Sequence, residues 1–367
     1  MATHDVPMRP YGSTAGRSHP AEKKRPKTPT VDFHIHLRVA AADDLVKPHL
    51  KGDGSRISVS PSRESEAQNK QQGIDRAKNL VDMPLRLTDM DKMIVDVAAM
   101  CGSPSQFYYD IDPKVNYESA QIINNGIQDA MKAAPGRHIG LGHVPLQDTD
   151  LSIKELKRCV NELGFRGLQI GARITEQEEL SASRLDPFWA AVQELDVPIL
   201  IHPSSFSSAR LSPHHMLNII GNPLDTTTAV HYLIFDGVME RFPNLKFVLS
   251  HGGAFASHYF ARMDHAYGAR PDCRDKIHQL PSTYLRKFYF DTLVFSVEQL
   301  DYLIKTFGVD HVLLGTDYPF DMGEYDPVEH VYQANGISES DREKICGLNA
   351  FGLMKVDPAK YTHRVKI

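Results

Sequence analysis

Four short apolar runs in this sequence end in residues that bind metals or carry protons. The first reads Asp32-Phe33-His34-Ile35-His36. In a strand, residues two apart face the same side, so His34 and His36 point together and make half a metal site. Pro198-Ile-Leu-Ile-His202 runs straight from apolar residues into a histidine, and Lys246-Phe-Val-Leu-Ser-His251 follows the same logic. Val312-Leu-Leu-Gly-Thr-Asp317 sets a carboxylate where an apolar run stops. Any one of these is ordinarily a satisfied polar group in a core. With 18 histidines in 367 residues, one His-x-His pair needs no special cause. Four such ends together are hard to credit to chance. Three imidazoles and a carboxylate suit one zinc-like divalent ion with an open position, and manganese tolerates the same set. A divalent charge lowers the pKa of bound water towards about 7. Histidine is the side chain suited to take and return that proton.

The elements that must position these residues follow an alternating rhythm. Apolar runs predict strands at Val31–Leu37, Ile94–Met100, Ile139–Val144, Gly167–Ile170, Pro198–His202, Lys246–Ser250, Phe288–Leu293 and His311–Gly315. Amphipathic segments lie between them. Leu156, Cys159, Val160 and Leu163 in Leu151–Leu163, and Leu300, Leu303, Ile304 and Phe307 in Val297–Phe307, fall at i, i+3, i+4, i+7. Eight strands alternating with helices predict an α/β protein, a (β/α)8 TIM barrel over residues 29–358. The marked residues then stand at the C-terminal ends of strands one, five, six and eight, where barrel active sites lie. A doubly wound sheet is the rival, but no GxGxxG follows the first strand. The polar stretch of about 38–84 shows no helical period beyond a short piece near Ile74–Leu80. It reads as a loop inserted after the first strand that covers the site. Residues 1–28 are basic and lack apolar period, and read as a flexible N-terminal tail; 359–367 reads as a C-terminal tail.

Composition removes other classes. A formal charge of −5 leaves no basic footprint for nucleic acid. No run approaches the length of a membrane span, and the N-terminus has no apolar signal region. Cys101, Cys159, Cys273 and Cys346 lie far apart with no CxxC pair, which fits a reducing, cytoplasmic setting.

His34-x-His36, His202, His251 and Asp317 resemble the pattern of the amidohydrolase superfamily. Gly167-Leu-Gln-Ile-Gly171 stands where a bridging lysine would close a binuclear site, so the resemblance is to mononuclear members. The branch typified by aminocarboxymuconate-semialdehyde decarboxylase is similar over roughly residues 87–356. The similarity includes Arg158-Cys-Val-Asn-Glu-Leu-Gly-Phe-Arg-Gly-Leu-Gln-Ile-Gly171, Ser250-His-Gly-Gly-Ala-Phe255, Ala269-Arg-Pro-Asp272 and Leu314-Gly-Thr-Asp-Tyr-Pro-Phe320. The resemblance implies that His34, His36, His202 and Asp317 hold one divalent metal, and that His251 with Asp317 carries the catalysis. It implies that Arg270 crosses a homodimer interface to a substrate carboxylate, and that Phe320 lines the pocket. A surface salt bridge for Arg270 and simple packing for Phe320 are the plainer accounts.

The sequence also departs from the branch. His202-Pro203-Ser204 replaces a His-Pro-Trp, so Ser204 stands where a pocket wall is expected. His143 ends the third strand where relatives carry a small residue; substrate contact and loop capping both remain open. Cys101-Gly102-Ser103 ends the second strand. Arg56 is offered for a second substrate arginine. The substrate is therefore expected to differ from the one that names the relative. The leading expectation is a metal-dependent, non-oxidative decarboxylase of an aromatic or muconate-like carboxylate. A hydrolase of an amide, lactone or enamide, or a hydratase, would use the same ligands. A non-enzymatic barrel with a relic metal site is the remaining alternative, and nothing structural requires its four intact ligands.

Overall fold

A computed structural model of the chain describes residues 20, 22–50, 59–204 and 206–367. Eight parallel strands follow in chain order: β1 Val31–Leu37, β2 Val97–Gly102, β3 His138–Gly142, β4 Gly167–Gly171, β5 Pro198–His202, β6 Lys246–Leu249, β7 Tyr289–Asp291 and β8 Val312–Leu313. They form one sheet in that order. The sheet closes into a (β/α)8 barrel where the chain beyond β8 returns to β1. Phe33 N donates to Leu314 O at 2.8 Å, Asp317 N to His34 O at 2.8 Å, and His36 N to Tyr318 O at 2.9 Å. Two ligand-type residues are thus set side by side by backbone bonds alone. A small hairpin at Arg173–Thr175 and Glu178–Glu179 follows β4.

Alternation sorts the strand residues into an inner and an outer face. Ile199, Ile201, Phe247 and Leu249 point outward into the core shared with the helices, while Leu200 and Val248 point inward. The interior cluster also holds Val31, Phe33, Val97, Ala99, Ile139, Leu141 and Leu313. Phe351 and Leu353 of the helix Asn349–Leu353 pack against it. Burying side chains of this size contributes roughly 1.5–3 kcal/mol each. The second strand begins three residues later than its apolar run, because Ile94 takes a left-handed φ of 59° and turns the chain first.

β1 breaks strict alternation. Asp32 pairs with Ala98 but Ile35 with Met100, so β1 carries one extra residue against β2. Phe33 therefore joins the interior cluster. Its neighbour His34 also turns inward, its ring 5.0 Å from His36 and 5.1 Å from His202.

The expected inserted loop is largely helical in the described residues. α1 spans Ala40–Val46, α2 Arg63–Val81 and α3 Met83–Lys92. The short helical piece near Ile74–Leu80 is the C-terminal part of α2; the rest of the helix shows no period because it buries only Arg76 and Leu80, so its apolar stripe has almost no width. Ser62 caps it by accepting from Ser65 N. Its C-terminal end is fixed beside the chain after β8: Asn79 Nδ2 donates to Tyr318 Oη at 3.1 Å, and Arg76 lies over the Tyr325 ring. Its N-terminal end meets the chain after β5, with Ser62 N donating to Ser212 O at 2.9 Å. Arg56 lies outside the described residues.

Residues within both expected tails make contacts with the barrel. Residues 1–19 lie outside the described chain, but Lys23 pairs with Asp326 and Arg25 with the buried Asp96. At the other end, Val365 N donates to Asp96 Oδ1 at 2.7 Å. A buried carboxylate demands such partners, and both chain ends supply them.

Candidate active site

Four side chains meet at the C-terminal mouth of the barrel. One ligand atom from each of His34, His36, His202 and Asp317 lies within 4.8 Å of all the others, and all four residues are buried. Asp317 Oδ1 is 2.9 Å from His36 Nε2, 3.3 Å from His34 Nε2 and 3.8 Å from His202 Nε2. Asp317 holds a left-handed φ of 57°, a sparsely populated conformation that turns its carboxylate into the ring of histidines.

The far side of each ring is fixed. His34 Nδ1 faces Asp291 Oδ2 at 2.7 Å, His36 Nδ1 faces Gly102 O at 3.1 Å, and His202 Nδ1 faces Pro203 O at 2.8 Å. An acceptor at Nδ1 places the proton there and leaves Nε2 as a lone pair aimed at Asp317. His36 makes the point most directly. Burial lowers its pKa, outweighing the pull of Asp317, so the ring is neutral and has one N–H. It cannot donate to both Gly102 O and Asp317. A lone pair 2.9 Å from a carboxylate oxygen is repulsive unless a cation lies between them. His34 Nε2 and His202 Nε2 are buried, and neither makes a hydrogen bond of sound geometry. Burial pushes His202 down to about 3 despite Asp317. His34 differs: burial lowers it, but the charge of Asp317 and the Asp291 hydrogen bond override this and raise it to about 10, so its Nε2 carries a proton that a bound cation would displace. Burial would raise Asp317, yet the surrounding imidazoles hold it well below the usual carboxylate range. This donor set fits one divalent cation.

His251, the expected catalytic histidine, stands beside this group. Its Nε2 is 3.4 Å from Asp317 Oδ2, and its ring centroid is 5.4 Å from that of His202. It is less buried than the other three and faces a cavity of about 340 Å³ lined also by Asp317, Phe255, Leu293, Phe295 and Met322. Phe320 is half-buried with its ring 5.4 Å from His36, so it borders the cluster.

The other expected site residues are placed differently. His143 is buried and stacks on Phe107 at 5.4 Å, with no ring contact to the cluster. Ser204 N donates to Asp225 Oδ2 at 2.8 Å, while its Oγ is buried without a partner among the described residues. Arg270 is 65% exposed and paired with Asp272 at 2.9 Å, so within one chain it does not reach the site.

Two residues of the site went unnoticed in the sequence. Asp291 ends β7 and accepts from His251 N and Gly252 N as well as facing His34. Asp32 accepts from His34 N at 3.0 Å and from Thr316 Oγ1 at 2.6 Å, which ties β1 to the residue before Asp317. Burial raises Asp32 to about 7 against these hydrogen bonds. The signal for Asp291 was present: Tyr289-Phe290-Asp291 ends an apolar run in a carboxylate, as the Asp317 segment does.

A family model described as Amidohydrolase matches residues 31–353, and the chain belongs to that family. The 2-amino-3-carboxymuconate-6-semialdehyde decarboxylase of Dictyostelium discoideum is 34% identical over 285 residues, covering 77% of this chain and 79% of that protein. The gamma-resorcylate decarboxylase of Polaromonas sp. strain JS666 is 31% identical over 255 residues, 65% of this chain and 77% of that one. The solved 5-carboxyvanillate decarboxylase of Novosphingobium aromaticivorans has the same fold. It matches with a TM-score of 0.76 at 23% identity, over 90% of this chain and 97% of that one, and its structure contains manganese. Among the described residues, no helix is long and apolar enough to cross a membrane.

Proposed function

We propose that the protein is a metal-dependent, non-oxidative decarboxylase of an aromatic or muconate-like carboxylate. The observation that carries this reading is the convergence of three backed imidazole Nε2 atoms on Asp317 with His251 alongside. His34, His36, His202 and Asp317 would hold one divalent ion, zinc by donor type, with manganese as the other choice. When bound, the ion supplies positive charge that holds and polarises the substrate's anionic oxygens. The chain's own part is proton management. The C–CO₂⁻ bond breaks with its electron pair left on the substrate carbon, His251 Nε2 delivers a proton to that carbon, and CO₂ leaves. Asp317 Oδ2, 3.4 Å from that nitrogen, orients the imidazole for the transfer. The apolar side of the cavity, from Phe255 to Phe295, keeps water from competing as a partner for the substrate.

The proposal extends to a homodimer in which the Arg270 guanidinium of one copy reaches the site of the other. A planar fork matches a carboxylate through two parallel hydrogen bonds. The deciding experiment is CO₂ release across hydroxybenzoates, picolinates and carboxymuconates, run beside a metal analysis. CO₂ with one metal per chain is the expected result. A ring-opened or hydrated product without CO₂ would replace it with the hydrolase or hydratase reading.

A further inference from the structure

The cavity that holds His251 and Asp317 continues past its apolar wall. Asn218 and Asn222 line it, and both also line a second cavity of about 170 Å³. The other walls of that cavity include Ser65 and Asn69 of α2 and His215 after β5. A third cavity of about 520 Å³ shares Ser65, Asn69 and His215 and carries on outward to Glu64 and Asp321. The inserted helix therefore roofs a run of space that begins at the histidine cluster.

The chemistry of the walls changes along that run. Next to the cluster they are mostly apolar, with Leu293, Val294, Phe295 and Met322. Under α2 they are mostly hydroxyl, amide and imidazole, with Pro61 and Leu217 as the apolar exceptions, and no lysine or arginine is among the described residues lining that part. His215 Nε2 is shielded from solvent and has no hydrogen-bond partner among the described residues, a costly state for a polar atom. The turn that presents it is held in an unfavourable shape: His214 and His215 both adopt left-handed φ, 56° and 57°. His215 N is secured to Ser65 Oγ of α2 at 3.2 Å.

We propose that the space under α2 is a second binding subsite that takes a neutral, hydrogen-bonding arm of the substrate, an amide or a hydroxyl group. The natural substrate is then an armed ring and not a bare one. This rests on the decarboxylase reading for the ring end, while the arm's recognition is independent of what happens to the carboxylate.

The test compares bare hydroxybenzoates with derivatives bearing an N-acetylaminomethyl or hydroxyethyl arm at each free ring position. Binding is measured by calorimetry on the metal-loaded full chain, so the readout survives a failure of the proposed reaction. One armed position should bind more tightly than the bare ring, by about five- to tenfold per hydrogen bond gained. In Asn69→Ala and in His215→Phe that ratio should fall towards one. CO₂ release, measured in parallel, tests the ring chemistry alone. Equal affinity for bare and armed rings at every position would overturn the subsite. So would variants that weaken both kinds of ligand to the same extent, the mark of a mere access route.

Discussion

His34 Nδ1 stands 2.7 Å from Asp291 Oδ2, and the same carboxyl group accepts the backbone N–H of His251 at 3.0 Å and of Gly252 at 2.7 Å. One side chain on β7 thus orients a metal-type ligand from β1 and the turn that carries the proposed proton donor. Burial would raise the Asp291 carboxyl, but His34 and the backbone donors hold it below the usual range, so it is an anion. Asp291→Asn keeps the shape and removes the charge. We expect metal affinity to fall about 10- to 100-fold, read by competition with a calibrated chelator. Unchanged affinity would show that Asp291 serves the fold alone.

His202→Ala and His251→Ala should separate two roles. The first removes a buried Nε2 from the cluster, and the purified variant should lack metal and activity together. The second should keep most of its metal while losing about 10²- to 10⁴-fold in rate, as for a general acid–base residue. Metal content by elemental analysis beside kcat decides it. Loss of metal in step with activity in His251→Ala would make His251 a ligand.

His143 predicts an acid sensitivity that belongs to folding and not to chemistry. Burial lowers its pKa from 6.5 to about 4. As pH falls below about 6.5 the unfolded chain takes up this proton while the folded chain does not, so stability declines until about pH 4 and then levels. Between pH 7.5 and 5 the loss from this residue is about 2 kcal/mol. His143→Phe can keep the stack on Phe107 and should flatten the pH dependence by that amount, measured as urea midpoints at both pH values. An equally steep variant would assign the sensitivity to other groups. One is His138, lowered to about 3 by burial and its arginine neighbours.

Arg270 should act only in trans. Arg270→Ala is expected to raise KM with metal content unchanged, and Asp317→Ala to be inactive. Mixed and allowed to exchange subunits, the two should recover partial activity, because one site per heterodimer is then intact. Proven heterodimers without recovery, or a fully active monomer, would remove Arg270 from the site.

The strand ends were legible because each mixes a continuous apolar run with one abrupt polar residue, and a barrel buries every strand on both faces. His202 and Asp317 were readable for that reason, His34 and His36 because residues two apart on a strand face the same side, and the structure gathers all four. α2 was legible only near Ile74–Leu80 for the opposite reason: a helix that roofs a cleft and buries only Arg76 and Leu80 leaves little period to find. His143 was ambiguous because a strand-end histidine in a barrel can contact substrate or cap a loop, and the stack on Phe107 depends on a residue distant in sequence. The proposed reach of Arg270 would depend on a second copy of the chain, which no spacing within one copy encodes.

The extra residue in β1 sets a limit on transplanting this site. An unbulged strand offers its neighbour every second side chain, so it would have to choose between the aromatic plug at Phe33 and the ligand at His34. Copying the five residues Asp32–His36 onto a regular strand of another barrel would turn one of the two outward. Deleting a single residue from this one would do the same. The motif is portable only together with the irregularity in its pairing to β2.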